Sequence, residues 1–170
     1  MSSETSHTSN RGRIATWVGG IVAAVIAGVS VAVIVNWIND PDGPPPSAVI
    51  TDPATGAYVD RVARVAGTSS DIDDPTRVML IVYWPDGRRY YPAAEPLDFE
   101  ANGDWSGRAS VGQGGDSGVG FDLILVLNDD RAQRQLMDYL EPVVTGGSAP
   151  GITDLPEGAQ RLDTTSVTRL

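Results

Sequence analysis

Residues Ile14–Ile38 run for twenty-five positions without a charged side chain, IATWVGGIVAAVIAGVSVAVIVNWI, and nothing else in the chain restricts its fold as tightly. Only Thr16, Ser30 and Asn36 are more polar than the tryptophans. A helix rises about 1.5 Å per residue, so the run would extend about 37 Å, enough to cross a hydrocarbon layer of about 30 Å with some tilt. Trp17 and Trp37 would then lie about 30 Å apart, which suits one indole at each water–lipid interface. The pattern predicts a transmembrane helix over 14–38. A cleaved signal peptide has a shorter apolar stretch, about 7–15 residues, and ends in a small-x-small site. This run leaves through Asn36, Trp37 and Ile38 with no Ala-x-Ala near its end, so an uncleaved anchor is expected.

The flanks give an orientation. Arg11 and Arg13 precede the run, Asp40 and Asp42 follow it, and no further Arg occurs before Arg61. Positive flanks stay in the cytoplasm, so the expected topology is single-pass in the cell membrane, with the N-terminus cytoplasmic and the C-terminal domain extracellular. Four parts follow: a disordered polar tail at 1–13, the helix at 14–38, a Pro-rich linker at 39–47 (NDPDGPPPS), and an outer domain at 48–170. Within the helix, Gly20, Ala24, Gly28 and Ala32 recur every fourth residue. Such a stripe of small residues lets helix backbones approach in lipid, as a homodimer or against another membrane protein. The same residues are also common in any membrane helix, and both readings stay open.

Charge narrows the partners. All twelve basic residues are Arg, and residues 39–170 carry ten of them against twenty-one Asp and Glu, a net charge of −11. A surface of that sign repels nucleic acid and anionic headgroups, so no nucleic-acid partner is expected. There is no cysteine, so the outer domain must stand without disulfides.

From Ala48 the hydrophobic period becomes that of strands. Ala48–Thr51 is a short apolar run that ends in the turn cluster Asp52–Gly56. Tyr58–Gly67 reads as one strand with Ala63, Val65 and Gly67 on one face. Arg77–Trp84 (RVMLIVYW) is the most apolar strand and is expected in the middle of a sheet. Pro85, Asp86 and Gly87 turn it into Arg89–Pro92 as a hairpin. Trp105, Gly107, Ala109 and Val111 alternate with polar residues, and Phe121, Leu123, Leu125 and Leu127 repeat the pattern. One helix follows, capped by Asn128 or Asp129, with Ala132, Leu136, Met137 and Leu140 as its apolar stripe and Pro142 as its end. A Gly-, Pro- and Ser-rich loop at Thr145–Gly158 leads to a last strand at Leu162–Arg169. Six to eight short strands separated by turns predict a mainly β fold: an immunoglobulin-like sandwich with one inserted short helix.

The stretch Ile50–Ser70 resembles the opening of bacterial immunoglobulin-like and fibronectin-III-like envelope domains. Ile50, Pro53, Gly56 and Val59 match an I-x-x-P-x-x-G-x-x-V phrase, and Val65 and Gly67 match the V-x-G strand end that follows it. Tyr90–Pro92 and Gly103–Gly107 are similar to segments of the same class in actinobacterial membrane proteins. The resemblance spans Ala48–Leu127. It implies a fold and carries no site with it.

Catalytic chemistry finds little purchase. The only histidine is His7, on the far side of the expected membrane, and there is no Cys or Lys. Nucleophilic triads and the usual zinc sites therefore lack their parts, which leaves only catalysis by carboxylates, and no spacing singles out a pair. No enzyme and no cofactor is expected. The glycine-rich Gly112–Gly120 precedes a strand and has no Lys, so it reads as an inter-strand loop and not as a phosphate loop. Asp71, Asp73 and Asp74, with Asp129 and Asp130, offer oxygens to calcium if the two groups meet at one end of the fold; turns and helix capping explain them equally. The best candidate binding patch is Tyr83, Trp84, Arg88, Arg89, Tyr90 and Tyr91, because aromatics and Arg dominate binding hot spots. Cross-strand pairs that stiffen a hairpin are the alternative. The expected function is a non-catalytic recognition or scaffold module at the cell surface, partnered by the lipid bilayer and by an envelope polymer or protein ligand. A regulatory or sensing subunit, coupling the outer domain to a membrane or cytoplasmic partner, is the second reading.

Overall fold

The computed structural model describes residues 44–170. The tail, the Ile14–Ile38 run with its small-residue stripe and the first part of the linker lie outside the described residues. Among the described residues, no helix is long and apolar enough to cross a membrane.

Nine strands and one helix make up the domain. They are β1 (Ser47–Asp52), β2 (Ala57–Val59), β3 (Val62–Ser70), β4 (Val78–Trp84), β5 (Arg89–Pro92), β6 (Asp98–Phe99), β7 (Asp104–Ser110), β8 (Gly120–Asn128), α1 (Asp130–Val144) and β9 (Ala159–Arg169). One sheet has the order β1-β3-β7-β6, the other β2-β9-β8-β4-β5. The described residues are mainly β, as their alternation predicts. Side chains at every second position of both sheets meet in one apolar core: Ala63, Val65, Trp105 and Ala109 from the first, Leu80, Val82, Leu123 and Leu125 from the second. A hydrogen bond also ties the sheets together, the Ile50 N–H of β1 donating to the Asp163 carboxylate of β9 at 2.7 Å.

The second sheet is covered on both faces. In β8, Leu123 and Leu125 point into the shared core, while Ile124 and Val126 point the other way and are equally buried. With Ile81 they form a second cluster under Leu136 of α1. That explains the nearly continuous apolar runs of β4 and β8, which a one-sided strand would not need. β4 is interior, between β8 and β5, and β8 is the middle strand.

Several boundaries differ from the sequence reading. The expected strand Tyr58–Gly67 is two strands: β2 runs parallel to β9 in the second sheet, and after Asp60 and Arg61 the chain crosses to β3 in the first. Local alternation is the same on either side of that crossing, so periodicity does not reveal it. Pro142 does not end the helix, which continues to Val144. A proline in the last turn loses the bond to the carbonyl four residues back and crowds that carbonyl, but it leaves the residues after it free to finish the turn. Met137 is 51 % exposed; the buried stripe is Ala132, Leu136 and Leu140, at a spacing of four. Asp129 is the cap, its carboxylate accepting from the Arg131 and Ala132 N–H groups at 2.9 and 2.8 Å. Asn128 is instead buried, its amide donating to the Arg77 carbonyl and to Gln133, both at 3.1 Å. The two-residue β6 and a 3-10 turn at Pro75–Arg77 carry no periodicity and are absent from the expectations.

Candidate functional site

The aromatic hairpin forms as expected, and its own pleat divides the candidate patch. Tyr83 pairs with Tyr90 and Trp84 with Arg89 across β4 and β5. Successive side chains of a strand point to opposite faces, so Tyr83 and Tyr90 lie together on the face toward α1, their ring centroids 4.4 Å apart. They pack on the cluster of Ile81, Ile124 and Leu136. Trp84 and Tyr91 lie on the other face, against the shared core. Arg88 closes the turn in a left-handed conformation (φ 49°), its N–H donating to the Pro85 carbonyl at 3.2 Å. The six residues therefore do not make one surface: two brace the helix and two line the interior.

What Trp84 and Tyr91 do line is a cleft of about 490 Å³. Its apolar walls are Val82, Trp84, Tyr91, Phe121 and Ala109, and its mouth carries Glu95, Arg108 and Asp116. The size falls in the range of about 300–1,000 Å³ typical of ligand pockets, and the lining mixes apolar and polar surface in nearly equal measure. α1 contributes Tyr139 and Val143. The Gly112–Gly120 loop supplies Gly112, Gln113 and Asp116 to the end of the cleft. That loop is held by a turn in which the Asp116 carboxylate accepts from the Gln113 N–H at 2.6 Å. The Trp84 indole N–H is buried with no acceptor among the described residues.

The cleft lies away from the end where the chain enters the fold. Ser47 pairs with Ser70, and Thr68 two residues earlier pairs with Asp104. The cleft residues Arg108–Ser110 lie toward the other end of β7, about 13–20 Å from Asp104 at about 3.3 Å per residue.

The acidic groups do meet, on an arginine. Arg77 Nε lies 3.2 Å from Asp74 and Arg77 Nη2 lies 2.5 Å from Asp130. The guanidinium stands where a shared cation would have to sit, and Asp129 is occupied in capping α1. Asp71 and Asp73 are exposed beside this end. Among the described residues, no three acidic side chains gather in a way that could hold a metal ion. The Asp74 carboxyl is held below the ordinary aspartate value, first by the Thr76 hydroxyl, which donates to it at 2.5 Å, and also by the Thr76 N–H and Arg77.

Arg108, Phe121, Tyr139 and Val82 enter the site from four separate elements, and no sequence pattern links them. Only the aromatic content of the hairpin pointed toward this region. Comparison with protein-family models and with curated proteins finds no match to this chain.

Proposed function

We propose that this chain is a non-catalytic recognition or scaffold module, anchored in a membrane by Ile14–Ile38, that presents an immunoglobulin-like outer domain of the bacterial envelope type at the cell surface. The single observation that carries the reading is the cleft between the two sheets, walled by Trp84, Tyr91 and Phe121 and remote from the end at which the chain enters. A domain whose only duty was to space other parts would have no need of an open cleft of this size, because the unfilled space beside Val82, Trp84, Tyr91 and Phe121 forfeits packing energy. The shortage of His, Cys and Lys in 39–170 supports binding over catalysis.

The test uses the intact protein, mildly crosslinked in its native membrane and purified. An envelope polymer or a protein ligand is expected to co-purify, to be lost in Ala94→Trp, which fills the mouth of the cleft from an exposed position, and to be retained in Gly28→Leu. Recovery of one membrane partner that Gly28→Leu loses and Ala94→Trp keeps would replace this reading with the regulatory-subunit one. Recovery of the chain in the soluble fraction would remove the anchor from the proposal.

A further inference from the structure

The wall of the cleft includes a short length of β-strand edge whose outward backbone groups have no strand partner. β6 pairs with β7 only at Asp98–Ser106 and Phe99–Trp105. Beyond that point Leu97 still lies against Gly107, and from Arg108 to Ser110 β7 pairs on one side alone, with β3. The bonds on either side show which backbone groups face which way. The Ser69 N–H donates to the Gly103 carbonyl and the Val111 N–H to the Arg61 carbonyl, so odd-numbered residues of this strand face β3. The Glu100 N–H donates to the Asp104 carbonyl, so even-numbered residues face the β6 side. The N–H and C=O groups of Arg108 and Ser110 therefore point out of the sheet, past the end of β6, and have no hydrogen-bond partner among the described residues.

Both residues line the cleft, as does the segment Ala93–Glu95 opposite them. The other edge at the cleft, β5, is closed to a further strand. Tyr90 already exchanges both of its outward bonds with Ile152, at 2.9 Å each, and Pro92, the next outward residue, has no N–H. An open edge next to an apolar cavity is the arrangement by which sheets take up an extended peptide: the main chain supplies the ladder and an alternate side chain enters the pocket.

We infer that the cleft binds an extended peptide segment that adds to β7 at Arg108 and Ser110 and lodges one bulky apolar side chain between Trp84, Tyr91 and Phe121. The inference rests on the recognition reading above and names its partner class. Charge restricts that partner further. The outer part of the chain carries a net charge of −11, and at the cleft mouth the two carboxylates Glu95 and Asp116 outnumber the one guanidinium, Arg108, with none of the three in an ion pair among the described residues. A segment with basic residues flanking its apolar one is matched to this site, and an acidic segment is repelled.

The experiment measures binding of the fluorescein-labelled heptapeptide RTVFVTR to the full chain in mild detergent by fluorescence anisotropy. Two isomers of the peptide, N-methylated at alternate amides, test the ladder. Saturable binding is expected, with one isomer losing at least about tenfold in affinity and the other losing little, because only one set of amides faces β7. Ser110→Pro deletes an outward N–H without touching the bonds to β3, and is expected to bind at least about tenfold more weakly than Ser110→Ala, which keeps that N–H. Circular dichroism melting of both variants checks that the fold is retained. If peptide binds but neither N-methylation nor Ser110→Pro changes it, the strand addition is overturned and the recognition reading stands. If the peptide fails to bind at about 1 mM while chitotetraose binds and perturbs Trp84 and Tyr91, the ligand is a glycan, and again only this inference falls. If neither probe binds, both are overturned.

Discussion

At the scale of single residues, two positions show how little room the domain leaves. Trp105 is 2 % exposed, and its indole N–H donates to the Thr68 carbonyl at 3.2 Å. The ring can lie there because Gly67, on the neighbouring strand, has no side chain: a Cβ would meet the Val49 carbonyl and sit 2.7 Å from the indole. Gly67→Ala is expected to destabilise the domain by about 3 kcal/mol, as overpacking against backbone commonly does, and urea unfolding measures it. Asp74 gives a prediction in pH. Its folded pKa lies below the ordinary 3.8, so its contribution is complete above that value and is lost as pH falls through the lower folded one. Urea midpoints taken from about pH 5 down to about pH 3 are expected to fall, and to fall less in Asp74→Asn. The exposed Arg77 pairs add little beyond this, since solvent screens them.

At the scale of elements, β7 is the informative one. Its residues alternate perfectly in sequence, yet its two edges are unequal, fully paired to β3 and barely paired to β6. Amide hydrogen exchange resolves this directly. Arg108 and Ser110 are expected to exchange like loop amides, and Ala109 and Val111 at least about a hundredfold more slowly. Equal protection at all four positions would show that the edge is covered. The hairpin β4–β5 teaches a related lesson. Its aromatic composition was legible, but the pleat assigns Tyr83 and Tyr90 to bracing and Trp84 and Tyr91 to the cleft.

At the scale of the whole domain, α1 is the part that sequence periodicity identified and that topology put to use. It covers the outer face of the second sheet through Leu136, and its later turns bring Tyr139 and Val143 to the cleft. Leu136→Ala is expected to cost about 2–5 kcal/mol, the range for a fully buried leucine, read from denaturant unfolding of the full chain. The loss would be near zero if the helix were only lightly attached. The crossing at Asp60 and Arg61 matters at the same scale, because it sends one continuous apolar alternation into both sheets and so closes the core at that end.

The chain by itself determined what depends on neighbouring residues: the strand alternation, the hairpin, the capped helix, the mainly β character and the scarcity of catalytic groups. Each of these follows from spacing along the backbone or from composition, which no fold can alter. Only the tertiary structure decided which sheet each strand joins, that Arg77 would stand between the acidic groups, and that Arg108, Phe121, Trp84 and Tyr139 would surround one cavity. Those juxtapositions come from pairing between segments far apart in sequence. Alternation says which side chains are buried together, but many pairings bury the same side chains, and only this pairing brings those of the cleft into one place.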